Sequence, residues 1–157
     1  MNRGGIHNIA GEILDRFTSC SADSLARLRM DGGKMLIRVI DDDPRTLDTV
    51  NECAKAVTEL SRKGLLAFVE PLPMKGKLGS YSSNYSVAEL VKWAGACASL
   101  GETSRYTWLK LPYIPGFEQV ALATTLPILV LGGPAQKDPL PTLRDFAAAM
   151  KCGANVR

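Results

Sequence analysis

Four short apolar runs alternate with helical patterns along this chain, and the alternation restricts the fold more than any other feature. The runs occupy residues 34–40, 65–70, 106–112 and 127–131. The first is almost continuously apolar, which is typical of a strand buried on both faces of a parallel sheet. Helices are expected between the runs and after the last one. The order βαβαβαβα predicts an α/β fold with a parallel sheet and right-handed crossovers.

Start and stop signals place the helices. Asp43 before Pro44 predicts a cap and first turn for a helix that ends near Gly64. Ser86-Val87-Ala88-Glu89 is a capping box that predicts a second helix. Shorter helices are predicted at about 22–30, 117–123 and 140–150. The prolines at 71 and 73 are expected to end the second strand, and a polar loop is expected from 74 to 85.

Chain length limits how many βα units the fold contains. A (β/α)₈ barrel takes about 250 residues, and this chain has 157. Four units in that length fit either about half of a barrel or a small open doubly wound sheet. The last residues come just after a predicted helix end, where another strand would begin, so the chain is expected to be an incomplete barrel. No linker divides it, and residues 1–157 are predicted to form one domain.

Composition and charge exclude several classes of function. Hydrophobic residues make up 46% and charged residues 22%, as in ordinary globular proteins. The net charge of +3 comes from 19 basic and 16 acidic residues that are scattered, which argues against a nucleic-acid partner. No apolar stretch reaches the roughly 20 residues of a membrane span. Four separated cysteines and the single histidine, His7, give no zinc pattern, so a cytoplasmic protein with free thiols is predicted.

Polar residues at the ends of the predicted strands are the candidate site. The working residues of parallel α/β folds lie at the carboxyl ends of strands. Glu70 ends the second strand, Lys110 ends the third, and Gly132-Gly133 follow the fourth. Two further cations, Lys34 and Arg38, share one face of the first strand. If these faces meet, two or three cations and a carboxylate converge in an apolar mouth.

That combination favours imine chemistry. A lysine amine must lose its proton to attack a carbonyl, and burial and neighbouring cations such as Lys34 or Arg38 favour the neutral amine. Glu70 would move protons. The protonated imine is itself the electron sink, so no metal and no organic cofactor is expected. Backbone amides at Gly132 and Gly133 would hold a phosphate.

Each candidate also has a structural interpretation. Lys110 could extend to solvent along apolar surface, and Glu70 could cap a helix or form a salt bridge. Lys34 and Arg38 could be ion-pair partners of acids, and the two glycines could form only a turn. The run Asp41-Asp42-Asp43 has the composition of a metal cluster, but a solvated loop and helix cap is the preferred interpretation.

At these residues the sequence resembles the class I, Schiff-base aldolases of the deoxyribose-phosphate and tagatose-bisphosphate aldolase superfamily, which are (β/α)₈ barrels. The matching segments, in chain order, are Gly33-Lys34-Met35-Leu36-Ile37-Arg38, Phe68-Val69-Glu70-Pro71, Trp108-Leu109-Lys110-Leu111-Pro112 and Leu129-Val130-Leu131-Gly132-Gly133. They resemble the family's strands 4 to 7. The resemblance implies that Lys110 forms the imine, that Glu70 is the catalytic carboxylate, that Lys34 is an active-site lysine, and that Gly132 and Gly133 lie beside the substrate phosphate.

The resemblance also implies what is missing. Strands 1 and 2, most of strand 3 and strand 8 have no counterpart, and residues 1–33 would be the remnant of the preceding βα unit. Such a partial barrel would leave unpaired edges and an open apolar face, so a homo-oligomer or an aggregation-prone chain is expected. The opening Asn2-Arg3-Gly4-Gly5 and the approach Asp31-Gly32-Gly33-Lys34 resemble a bacterial branch associated with inositol catabolism.

The function implied by the resemblance is an aldolase-type lyase, in whole or remnant form, acting on a phosphorylated sugar or keto-sugar. Two alternatives come from other classes. One is a non-catalytic fragment or oligomerising module. The other is a small flavodoxin-like domain that binds a phosphate ligand and in which Lys110 is structural.

Overall fold

The computed structural model describes residue 13, residues 15–133 and residues 136–157. The opening Asn2 to Gly5 and His7 therefore lie outside the described residues. The elements in chain order are α1 Ala22–Arg27, β1 Gly32–Val39, α2 Arg45–Ser61, β2 Leu66–Lys77, β3 Ser80–Ser83, α3 Val87–Ala98, β4 Thr107–Pro112, α4 Phe117–Leu122, β5 Ile128–Leu131 and α5 Leu140–Ala149.

The sheet has the strand order β1-β2-β4-β5, and every pair along this path is parallel. Each parallel strand therefore lies beside the next one in the chain, which is the order of a barrel wall. A doubly wound, flavodoxin-like sheet needs a reversal of strand order, and the described strands have none. The prediction of a partial (β/α)₈ barrel with about four parallel βα units is confirmed.

The two faces of the sheet have different environments. The outer face carries Met35, Ile37, Val69, Leu109 and Leu111, all of them fully buried in a core that includes residues of the first four helices. The inner face, defined here as the alternate residues that carry Lys34, Glu70 and Lys110, is covered less completely. Most of its apolar members are only half-buried; these include Leu36, Phe68, Leu72, Trp108, Leu129 and Leu131. Core helices against one face and a more open second face are what a barrel wall requires.

Local signals explain most of the element boundaries. The Ser86 side chain accepts a hydrogen bond from the Glu89 N–H and caps α3 as predicted. Gly64, with φ +68°, follows the end of α2 and allows the chain to turn directly into β2. At α2, the Asp43 carboxylate accepts the Arg45 N–H at 2.9 Å, one residue earlier than a formal cap because Pro44 holds the cap position.

The prediction that β2 ends at its prolines is wrong. The strand continues through Pro71 and Pro73 to Lys77 and turns back into β3, with Met74 opposite Ser83 in an antiparallel hairpin. Residues 74–83 therefore form a hairpin where a loop was expected. Gly76 and Gly79 have positive φ values that suit this turn.

Strand β2 tolerates Pro71 and Pro73 because their backbone nitrogens lie on the side where β2 has no hydrogen-bonding neighbour. The Leu66 N–H donates to the carbonyl that precedes β1, and the Ala67 N–H donates to the carbonyl that precedes β4. The N–H groups of the odd-numbered residues of β2 therefore point towards β4. The pairing with β4 extends only to Val69, so the absent N–H groups of Pro71 and Pro73 would have no acceptor there.

The last residues run alongside β5. Val156 forms a parallel bridge with Ile128, and the Val130 N–H donates to the carbonyl of Arg157. Parallel pairing with β5 therefore resumes after α5, at the point where the sequence analysis placed the start of a further strand. No helix in the described part of the chain is both long and apolar enough to cross a membrane.

Gly32 is required by the close approach of β1 and β2. A Cβ at this position would lie 2.2 Å from the Leu66 carbonyl oxygen. We expect Gly32→Ala to lower the free energy of unfolding by about 1 to 3 kcal/mol, because backbone must move. Gly95→Ala is the matched control: the site is open and helical, so alanine should stabilise by about 1 kcal/mol. Urea unfolding of both variants measures the difference, and equal midpoints would contradict the expectation.

Candidate active site

Glu70 is the centre of a three-residue cluster on the inner face. Its Oε2 lies 2.9 Å from the Lys34 Nζ, and its Oε1 lies 3.0 Å from the Lys110 Nζ. The carboxylate is buried, with a side chain only 6% exposed, whereas the side chains of Lys34 and Lys110 are 43% and 27% exposed. One buried carboxylate thus holds two cations that remain open to solvent on their other sides.

Strand register brings these three residues together. Phe68 lies opposite Lys34 on β1 and opposite Trp108 on β4. Glu70 and Lys110 each follow by two residues on their own strands, so all five side chains share one face. The sequence interpretation placed the three charged residues on one face, and the structure brings them within ion-pair distance.

The surroundings of the cluster combine apolar walls with an accessible amine. The rings of Phe68 and Trp108 pack beside it with centroids 5.7 Å apart. Such walls exclude water from one side of a bound molecule and strengthen the electrostatic interactions between the charged groups. The cluster thus combines a partly exposed lysine amine with a buried carboxylate that is in direct contact with it.

Arg38, a predicted substrate or phosphate ligand, is in an ion pair with Asp15. The Nη2 of Arg38 lies 2.9 Å from Asp15 Oδ1, and the two side chains are 10% and 0% exposed. The guanidinium charge is therefore neutralised within the protein. The sequence analysis missed Asp15, because it lies in a segment with no clear periodicity. A lone acid between Ile13 and Phe17 was the available signal.

Gly132 and Gly133 follow β5 at the carboxyl edge of the sheet. They are exposed, and Gly133 has φ +68° with open space around its Cα. The next helix, α5, begins only at Leu140. The role of these glycines in phosphate binding stays a prediction.

Two residues of the aspartate run 41–43, which was expected to be a solvated loop and helix cap, form ion pairs. Asp43 pairs with Arg45, and the Arg45 hydrogen bond holds the pKa of the Asp43 carboxyl below its usual value. Asp41 pairs with Lys92. Among the described residues no group of three or more potential ligands could hold a metal ion. A cavity of about 590 Å³ lies beside this loop, between it and the β2–β3 hairpin, and the residues of the Glu70 cluster do not line it.

Two of the cysteines, Cys53 and Cys97, are not candidates for reactive thiols. Cys53 and Cys97 are buried, and burial raises the pKa of the Cys53 thiol to about 12 and that of the Cys97 thiol well above its usual value. Both stay protonated and unreactive at neutral pH.

The chain is similar to a known protein family and to solved structures. Residues 1–157 match the model of the Cgl0159-like family. The crystal structure of Cgl0159 from Corynebacterium glutamicum (Brevibacterium flavum) is 32% identical, with a TM-score of 0.90, and the match covers 100% of this chain and 52% of that one. No curated protein matches.

A second solved structure comes from work on the mechanism of the Schiff base forming fructose-1,6-bisphosphate aldolase and its reaction intermediates. It is 20% identical, with a TM-score of 0.73, and the match covers 97% of this chain and 58% of that one. At this identity the similarity shows the fold alone. The chain spans between half and three-fifths of the length of both solved structures.

Proposed function

The chain belongs to the Cgl0159-like family, and we propose that it acts as an aldolase-type lyase. The reaction makes or breaks a carbon–carbon bond beside the ketone of a phosphorylated sugar or keto-sugar, through an imine on Lys110. The observation that carries the proposal is the contact of one buried carboxylate, Glu70, with both Lys110 and Lys34 at 3.0 and 2.9 Å. The fold shared with a Schiff base forming aldolase supports it.

The reaction follows from the positions of these groups. Glu70 accepts a proton from the Lys110 ammonium, and the neutral amine attacks the ketone carbon. Glu70 returns this proton to the hydroxyl of the adduct, which leaves as water, and a protonated imine remains. Glu70 then removes the proton from the hydroxyl on the second carbon from the imine. The bond between that carbon and the carbon next to the imine breaks. Its electron pair moves towards the imine nitrogen to form an enamine, and an aldehyde leaves. A proton returns to the enamine carbon, and water hydrolyses the imine to free the ketone.

The remaining candidates would bind substrate. Lys34 is the more exposed lysine, and it would position an oxygen of the substrate while sharing Glu70 with Lys110. Gly132 and Gly133 would receive the phosphate at the carboxyl edge of the sheet, whereas the charge of Arg38 is neutralised by Asp15. The substrate is a small phosphosugar, and the chemistry needs no metal or organic cofactor because the imine holds the electrons.

Borohydride trapping tests this proposal. Verified folded protein is incubated with dihydroxyacetone phosphate and sodium borohydride, digested, and mapped by peptide mass spectrometry. We expect a reduced adduct on Lys110, because borohydride converts an imine to a stable amine. Protein treated with borohydride alone is the control. No adduct from folded protein, or an adduct spread evenly over exposed lysines, would refute imine catalysis by this chain.

A second candidate function is a non-catalytic module that associates with another copy of the chain. The half-buried apolar side chains of the inner face, including Phe68 and Trp108, favour it, because such a surface gains free energy when covered. Sedimentation velocity together with the trapping experiment separates the two candidates. A dimer that gives no adduct supports association alone, whereas an adduct from any oligomeric state supports the lyase.

A further inference from the structure

Two cations on β1 are placed equally well to reach Glu70. Leu36 lies directly opposite Glu70 in the strand register. Lys34 precedes Leu36 by two residues and Arg38 follows it by two, so both side chains leave the same face of β1 at similar distances from Glu70. Lys34 reaches the carboxylate at 2.9 Å. The side chain of Arg38 is at least as long, yet it does not contact Glu70.

Of the two cations, Arg38 would be expected to bind the Glu70 carboxylate more tightly than Lys34. A guanidinium forms two parallel hydrogen bonds with a carboxylate, and its planar, preorganised donors lose less freedom on binding than a lysine ammonium does. Without a competing acid, the Arg38 guanidinium would bind both oxygens of Glu70. Lys34 and Lys110 would then lose the partner that they share.

Asp15 prevents this from the opposite side of the strand. Among the described strands, β1 stands at one end of the path and pairs with β2. Asp15 lies along the other edge, where its Oδ2 accepts the backbone N–H of Arg38 at 2.6 Å. The same carboxylate accepts the Arg38 Nε at 3.2 Å and the Nη2 at 2.9 Å. Asp15 is 1% exposed, so these contacts are made away from competing water.

We propose that Asp15 is a positioning residue that holds the Arg38 guanidinium away from Glu70 and thereby reserves the Glu70 carboxylate for Lys34 and Lys110. The role of this arrangement in catalysis rests on the proposed function. The ion pairs themselves do not depend on the proposed function, because Glu70 binds its cations before any substrate arrives.

Lysine labelling measures this assignment directly. The folded protein is treated briefly with formaldehyde and cyanoborohydride, and methylation of Lys34 and Lys110 is quantified by peptide mass spectrometry relative to the exposed Lys77. An ammonium held by a carboxylate reacts slowly. In Asp15→Asn the amide still accepts a hydrogen bond but no longer neutralises Arg38, which should turn to Glu70. We expect both lysines to react about two- to five-fold faster, the factor that corresponds to a partly exposed ion pair.

The double variant Asp15→Asn/Arg38→Met separates positioning from simple structural support. It removes the competing guanidinium, so the labelling of both lysines should return to the wild-type rate. Unchanged labelling in Asp15→Asn, or labelling in the double variant as fast as in Asp15→Asn, would overturn the proposal. Asp15→Ser makes the same comparison if Asp15→Asn does not fold. A negative trapping experiment with this labelling pattern would reject the lyase but not the positioning role.

Discussion

Replacing Lys110 by alanine is expected to abolish the borohydride-trapped adduct and to lower turnover by about 10³-fold or more, because the nucleophile itself is removed. Lys110→Arg is the sharper variant. Arginine keeps a positive charge for Glu70 but stays protonated and cannot form an imine. We therefore expect both variants to lose the adduct, although only alanine removes the ion pair. Peptide mass spectrometry after trapping with dihydroxyacetone phosphate makes the measurement.

Lys34→Ala is the matched control for this prediction, because Lys34 contacts the same carboxylate from the other side. The adduct on Lys110 should still form in Lys34→Ala, with weaker binding of the ketone. If the adduct survived in Lys110→Arg and disappeared in Lys34→Ala, Lys34 would be the nucleophile and the roles of the two lysines would be exchanged.

Replacing Glu70 by glutamine is expected to lower kcat by about 10²- to 10⁴-fold, the range for loss of a group that transfers protons. Glutamine has nearly the same shape as glutamate, so the cluster should keep its packing. Its amide has one oxygen and cannot accept a proton from the substrate hydroxyl. With Lys110 still present, an adduct should form slowly at high ketone concentration. Steady-state kinetics of carbon–carbon bond cleavage would show the fall in kcat with a smaller change in KM.

Glu102→Gln is the control for loss of a carboxylate. Glu102 also pairs with a cation, Arg62, but both are largely exposed and lie away from the inner face. We expect no change in kcat for this variant. Equal activity of Glu70→Gln and wild-type protein would show that Glu70 only supports the structure.

Much of the fold follows from local patterns in the sequence. The apolar runs of β1 and β4 and the capping box of α3 each specify an element through its own residues. Period-two alternation also placed Lys34, Glu70 and Lys110 on matching faces of their strands. These features depend on burial and backbone direction, which neighbouring residues encode.

The sequence was insufficient where a distant part of the chain decides the local structure. Pro71 and Pro73 end a strand in most contexts, but here they lie beyond the last residue of β2 that pairs with β4. Their missing donors therefore cost nothing, and the β2–β3 hairpin forms. Similarly, the residues around Arg38 in the sequence do not show which acid it pairs with, because Asp15 lies 23 residues earlier.

The sequence alone determined the order of the parallel strands and their helices and the faces on which the charged residues lie, because these depend on short-range periodicity. The tertiary structure alone decided which charges meet. Glu70 and Lys34 are 36 residues apart, and their contact requires β1 beside β2 in one particular register. A shift of one residue would move every side chain of a strand to the other face. Long-range pairing of strands, which no local pattern encodes, thus assembles the candidate site.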